Sequence, residues 1–235
     1  MFKIALDAGH GKYTAGKRCL KSLDPNETRE WWLNDRICDK VESMLKSYEG
    51  YSLLRVDDTT GEKDVSLADR VKRANEFDAD IYLSVHHNAG IKGGKGGGIL
   101  AIIYTDASAK SKEYQKKFYD ALIKETGLKG NRSAPMPTQN LYVCRHTNMP
   151  AVLLELGFMD SATDLPIILT EAYADNCAEA ITSVFVEIGK LTKKAQPEPS
   201  SGKIYRVQVG AYSVKSNADA MAKKLKADGY DAIIV

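Results

Sequence analysis

Three short apolar runs in this chain each end on a residue able to bind a metal or move a proton. They read Lys3-Ile-Ala-Leu-Asp-Ala-Gly-His10, Ile81-Tyr-Leu-Ser-Val-His86 and Ala151-Val-Leu-Leu-Glu155. Strands of a parallel sheet line up their carboxyl-terminal residues along one edge, the edge at which open α/β sheets bind ligands. Two imidazoles and a carboxylate gathered there have the donor types of a hydrolytic zinc site, in which three protein ligands leave a position for water.

The chain has four histidines, so the choice of ligands is narrow. His10 follows Asp7-Ala-Gly, small residues that permit a tight turn and let the ring point over the sheet edge. His86 and His87 are adjacent, and on an extended backbone they face opposite ways, so one of them can enter a site. His146 lies in Arg145-His-Thr-Asn-Met-Pro150, where it could be a ligand, a substrate contact or surface. Glu30 sits near the helical stripe Leu33, Ile37, Val41 and Met44. An acid there is either stabilised by the helix dipole or bound to metal, and Glu27, one turn earlier, competes with it. Glu155 ends a strongly apolar strand, where an ionised acid is costly to bury unless paired or set beside a cation. A general base acting on water fits that place, as does a salt bridge to Arg145.

The elements that must position these residues alternate along the chain. Strands are expected at Lys3–Leu6, Tyr51–Val56, Ile81–Val85, Gly98–Tyr104, Leu141–Val143 and Val152–Glu155. They are short, continuous and rich in branched residues, as strands buried on both faces should be. Helices are expected at Asn26–Lys46, Leu67–Phe77, Ala109–Thr126, Thr163–Leu169 and Glu171–Gly189. This alternation predicts an α/β fold: a mostly parallel twisted sheet with helices on both faces. The run Ile91-Lys-Gly-Gly-Lys-Gly-Gly-Gly98 precedes a strand and lacks the Lys-Ser/Thr helix start of a phosphate loop, so it reads as a flexible loop beside the site.

A catalytic domain is expected over residues 1–191. Residues 192–202 include Gln-Pro-Glu-Pro-Ser-Ser-Gly, the composition of a linker. Residues 203–235 read as a small βαβ unit: a strand at Tyr205–Tyr212, a helix from Ser216 to Asp228 and a second strand at Asp231–Val235. Such a unit is too small to bury a core alone.

Bulk properties exclude several classes. Net charge is +2 with acids and bases interspersed, and 43% of residues are hydrophobic. That balance gives no reason to expect nucleic acid as a partner. No apolar run approaches the roughly 18 residues of a membrane span, so no membrane partner is expected. The four cysteines, Cys19, Cys38, Cys144 and Cys177, are scattered, as free thiols in a reducing compartment would be. The chain opens on a core-like strand with no signal-peptide pattern. Synthesis in the cytoplasm is therefore expected, with anything outside reached by other means.

Four segments together resemble one family. Asp7-Ala-Gly-His-Gly11, Ser66-Leu-Ala-Asp-Arg-Val-Lys-Arg-Ala-Asn75, Ser84-Val-His-His-Asn-Ala89 and Met149-Pro-Ala-Val-Leu-Leu-Glu-Leu-Gly-Phe158 resemble, in family order, motifs of the zinc-dependent N-acetylmuramoyl-L-alanine amidases of the amidase-3 type. The resemblance implies hydrolysis of the amide between N-acetylmuramic acid and L-alanine of bacterial peptidoglycan. It implies Zn2+ held by His10, Glu30 and His86, and Glu155 as the catalytic acid/base. Glu30 is preferred over Glu27 because Asn34 follows it by four residues, as in the family. A zinc peptidase cutting within the stem peptide and a non-catalytic wall-binding protein are the alternatives.

Tyr205-Arg-Val-Gln-Val-Gly-Ala-Tyr212 and the helix after it resemble a SPOR domain, a peptidoglycan-binding module of two βαβ halves. One half is present, so either the chain is cut short or two chains pair their halves in a homodimer. Both an endolysin released by a holin and an autolysin released on lysis fit a chain without a leader.

Overall fold

In the computed structural model, residues 1–195, 208–227, 229, 230 and 232–234 are described. Contacts divide the chain into two units, Met1–Lys194 and Ala195–Val235. In the first, β1 (Phe2–Ala8) leads to α1 (Glu30–Leu45), β2 (Tyr48–Glu49), β3 (Tyr51–Arg55), α2 (Leu67–Glu76), β4 (Ile81–Asn88) and β5 (Ile99–Ile102). Then follow α3 (Ala109–Thr126), α4 (Tyr142–His146), β6 (Ala151–Phe158), α5 (Leu165–Ile168), α6 (Glu171–Gly189) and β7 (Thr192–Lys193).

The main sheet has the order β3-β1-β4-β6-β5. Its first four strands are parallel, and β5 runs antiparallel to β6 at the edge. Successive residues of the central strands are buried on both faces, which is why they read as unbroken apolar runs. Ile4, Leu6, Leu83 and Val85 join one core with α1, α3 and α6, whereas Ala5, Tyr82 and Leu153 join another with α2 and α4. The α/β class, the mostly parallel sheet and helices on both faces are thus as the alternation predicts.

Local chemistry sets the helix ends. Ser66, Ser108 and Thr170 each cap a helix by accepting the backbone N–H three residues on. Gly127 ends α3 at φ 68°, a left-handed conformation that glycine adopts without a Cβ penalty.

Four expectations need correction. First, α1 begins at Glu30 rather than Asn26. The Asp24 carboxylate accepts the N–H groups of Asn26 (3.1 Å) and Thr28 (2.7 Å), and Glu27 sits at φ 48°, so this stretch is a tight turn. Second, Leu141–Val143 is no strand: it leads into α4, whose Val143 and Cys144 are buried. The free edge of β5 is met instead by residues 135–139, where Ala101 N–H donates to Pro135 O (3.1 Å) and Gln139 N–H to Ile103 O (2.8 Å). Third, the glycine-rich run is pinned rather than flexible. Gly97 and Gly98 donate to Asn131 Oδ1 (3.0 Å) and Asp164 Oδ2 (2.7 Å), and a Cβ on Gly98 would stand 2.4 Å from Lys129 O. Its glycines serve close backbone approach. Fourth, Thr192 and Lys193, placed by composition in the linker, form β7, which pairs antiparallel with β2.

The second unit contains α7 (Lys215–Ala227). The expected strands Tyr205–Tyr212 and Asp231–Val235, like the linker, lie partly outside the described residues, and residues 208–212 and 232–234 carry no ladder. Among the described residues no helix is long and apolar enough to cross a membrane.

Candidate active site

The carboxyl ends of β1, β4 and β6 converge with the amino end of α1. His10 follows β1 in a left-handed conformation, φ 68°, which costs a residue with a Cβ about 1 kcal/mol or more. Two side chains hold it there. Arg70 donates to Ala8 O (2.8 Å) and His10 O (3.0 Å), and Asn34 Nδ2 donates to Gly9 O (3.1 Å). Three consecutive carbonyls of the turn are therefore fixed. Gly9 is required by the neighbouring ring, since a Cβ there would lie 2.1 Å from His86 Cε1.

Arg70 is itself fully buried, on α2, and its Nε donates to Val65 O (2.8 Å). It is neutralised by Asp7, with which it forms a buried ion pair, and by Asp64 at 3.2 Å. Asp7 also accepts from Tyr82 Oη (2.7 Å) and Ser84 Oγ (2.8 Å). Burial works against its ionisation, but Arg70 and these hydroxyls outweigh it and hold the carboxyl below its usual range.

Glu30 is the first residue of α1 and is buried. Its Oε1 lies 3.0 Å from His86 Nδ1 and 3.4 Å from His10 Nε2, and the two rings meet edge to face with centroids 4.9 Å apart. One donor atom from each of His10, Glu30 and His86 lies within 4.8 Å of the other two. Burial opposes charge on Glu30, yet the His10 and His86 rings beside its carboxylate prevail and keep it well below the ordinary carboxylate range. The Lys17 ammonium is 3.7 Å from its Oε2.

Glu155 faces His86 directly across the β4–β6 ladder. It is half-buried, and enclosure raises its carboxyl to about 7. His10 Nε2, Glu30 Oε2 and Glu155 Oε2 are all buried without a hydrogen-bond partner. Unsatisfied buried polar atoms are uncommon and call for an explanation such as an ion or water. Two imidazoles and an ionised carboxylate at this spacing fit Zn2+ by donor type and number.

The other candidates go elsewhere. His87 points away from this cluster: its Nδ1 meets Asn34 Oδ1 (2.8 Å), and burial lowers its pKa to about 3, keeping the ring neutral. Glu27 pairs with Arg18 (3.2 Å) at the surface. His146 is exposed outside the metal cluster, stacked on Tyr142 with centroids 4.2 Å apart. Arg145 donates to His146 and Asn140, not to Glu155, so the salt-bridge alternative is not what forms. A cleft of about 440 Å³ opens on His10 and His86, its lining including Ser66, Leu67 and Leu141 to Val143.

Reading the sequence for ligands overlooked Asp7, Arg70 and Asn34 as supports and Lys17 and Tyr142 as neighbours. Asp7 carried a usable signal: an acid inside a strand buried on both faces demands a buried partner.

Comparison with known proteins agrees with this geometry. Residues 4–186 match the family model described as N-acetylmuramoyl-L-alanine amidase, and residues 201–235 match the SPOR domain. The chain is 33% identical to the sporulation-specific N-acetylmuramoyl-L-alanine amidase of Bacillus subtilis, an alignment covering 100% of this chain and 85% of that protein. It is 34% identical to the endolysin of Bacillus phage SPP1, covering 96% and 85%. The catalytic domain of the amidase CwlV from Bacillus (Paenibacillus) polymyxa superposes with a TM-score of 0.71 at 25% identity, over 82% of this chain and 100% of that one.

Proposed function

The chain belongs to the N-acetylmuramoyl-L-alanine amidases, hydrolases of cell-wall peptidoglycan, and on that premise we propose that His10, Glu30 and His86 hold a Zn2+ while Glu155 handles the protons. The bond cut is the amide between the lactyl group of N-acetylmuramic acid and L-alanine. One observation carries the metal reading: His10, Glu30 and His86 bring donor atoms within 4.8 Å of one another, while buried His10 Nε2, Glu30 Oε2 and Glu155 Oε2 lack a hydrogen-bond partner. When bound, Zn2+ would polarise the scissile carbonyl and lower the pKa of the attacking water to about 7.

The chain's residues supply the rest. Arg70 and Asn34 lock the turn that aims His10. Glu30 is charged at the positive end of α1, where a carboxylate is stabilised. Glu155, with its carboxyl near 7, accepts the water proton and then delivers it to the leaving alanine amine. A group that must both take and give a proton works best with a pKa near the working pH.

Replacing Glu155 by Gln tests this. The variant should bind zinc as the wild type does and lose turnover on purified cell wall by at least about a hundredfold. Wild-type turnover in the zinc-loaded variant rejects the role. Product analysis separates the peptidase alternative: an amidase frees the amine of L-alanine and leaves the glycan intact.

For the C-terminal unit we propose that a second copy covers it in a homodimer, since Val209, Tyr230 and Ile233 are exposed apolar side chains. Sedimentation of the chain with and without residues 192–235 checks this, and a monomer in both cases refutes it. For the route to the wall we propose release by a holin or by lysis. Equal host lysis with and without a co-expressed holin, measured before spontaneous cell death, counts against the holin route.

A further inference from the structure

We propose that the cleft beside the metal cluster receives the sugar ring of the substrate, with Tyr142 as its stacking platform; this rests on the amidase reading above. The substrate has two unlike ends. Its sugar, once the lactyl carboxyl is in amide linkage, is uncharged and presents apolar C–H faces. Its peptide ends in carboxylate. The cleft wall discriminates between them. Leu67, Leu141, Tyr142 and Leu153 make most of it apolar. Its one cation, Arg70, is buried and already neutralised by Asp7 and Asp64. Apart from the metal that His10 and His86 would hold, a carboxylate entering here meets no unpaired cation among the described lining residues and would approach Asp64, which is unfavourable. The apolar wall around Tyr142 therefore suits the uncharged sugar rather than the carboxylate-bearing end of the peptide.

Tyr142 is built to present a ring. It is 39% exposed although it begins a helix whose next two residues are buried. Its ring rests on His146, one turn on, with centroids 4.2 Å apart and planes inclined at 35°. His146 is fixed in turn: Arg145 donates to its Nε2 from Nε (3.0 Å) and Nη2 (2.8 Å), and Asn75 Nδ2 donates to its carbonyl (3.1 Å). A large aromatic held in place before binding gives contact area at little entropic cost. This gives His146, unused by the metal cluster, the part of a positioning residue.

The experiment compares two substrates, a disaccharide-peptide and a lactyl-peptide lacking the sugar, and adds calorimetric titration with a peptide-free glycan fragment. Tyr142→Leu should raise KM for the disaccharide-peptide about tenfold with kcat within about twofold, and weaken the glycan fragment equally, the loss of one stacked face. Tyr142→Phe should behave as wild type, and neither change should affect the sugar-free substrate. His146→Ala should show a smaller loss of the same kind. Equal losses on both substrates, or unchanged glycan binding in Tyr142→Leu, overturn the proposal. A wild type that binds glycan through Tyr142 yet cuts neither substrate would refute the amidase mechanism while supporting the platform.

Discussion

Replacing Arg70 by Met should destabilise the fold through a charge left behind, not through lost volume. Arg70 is buried and makes a buried ion pair with Asp7. In its absence Asp7 keeps Tyr82 and Ser84 but loses the guanidinium that pairs with it directly. Stranding one partner of a buried pair costs about 3–5 kcal/mol. The carbonyls of Val65, Ala8 and His10 also lose their donor, adding about 1 kcal/mol or more each where water cannot reach them. Against a domain stability of about 5–15 kcal/mol this is a large share. The double variant Asp7→Asn, Arg70→Met removes the stranded charge and should recover about 2–3 kcal/mol of the loss. Urea unfolding of the wild type, both single variants and the double variant, all with zinc chelated at pH 7.5, measures the coupling.

The pH dependence has a definite sign. Asp7 is held below its unfolded value of 3.8, so the pair's contribution is present above about pH 4 and is lost as pH falls through the lower folded value. The gap between wild type and Arg70→Met should narrow in that acid range. Additive single-variant penalties, or a gap that stays constant down to pH 3, would refute the reasoning.

Other outcomes follow from the same geometry. Gly9→Ala places a Cβ 2.1 Å from His86 Cε1; zinc affinity, read by competition with a chromophoric chelator, should fall at least about tenfold while far-UV circular dichroism is unchanged. His87 is kept neutral with a pKa of about 3, so its own contribution to the stability of the zinc-free protein should fall by about 1.4 kcal/mol per pH unit as pH drops below about 6.5. In His87→Gln that slope should flatten, as seen by chemical denaturation across the range. Chelation should lower the thermal midpoint, and zinc at about a thousand times Kd should restore about 4 kcal/mol; calorimetry that shows no shift would count against a bound metal.

How much of this was legible in the chain depends on whether a local pattern reported it. The strand ends at His10, His86 and Glu155 were readable because buried parallel strands are apolar throughout and their last residues change type abruptly. The opposite facing of His86 and His87 followed from strand geometry, and the structure turns them to different partners. Glu30 was not separable from Glu27 by spacing. Its selection depends on where α1 starts, and that is set by the turn around Asp24 and by the Glu30 N–H bond to Lys17 O (3.1 Å), contacts with no periodic signature. The five-residue α4 has no helical signature in the sequence, because so short an apolar run fits either period. The pairing of Arg70 with Asp7 spans 63 residues, so neither residue announces the other.

Those unannounced polar contacts explain why the site is not built from apolar packing. Methionine or leucine at positions 7 and 70 could fill the same space, and replacing a buried ion pair in that way is often neutral or stabilising. Such residues offer no donor to the carbonyls of Ala8 and His10. The turn would then relax from the left-handed conformation at His10, and the ring would leave the reach of Glu30 and His86. Asn34 bears on the same turn from the other face of the sheet: it holds the Gly9 carbonyl with its amide nitrogen and meets His87 with its oxygen. His87 therefore fixes by hydrogen bond the residue that fixes the turn, while its neighbour His86 faces the metal cluster. The histidine pair on β4 thus does two jobs that strand alternation keeps on opposite faces, and loss of either ring should loosen His10.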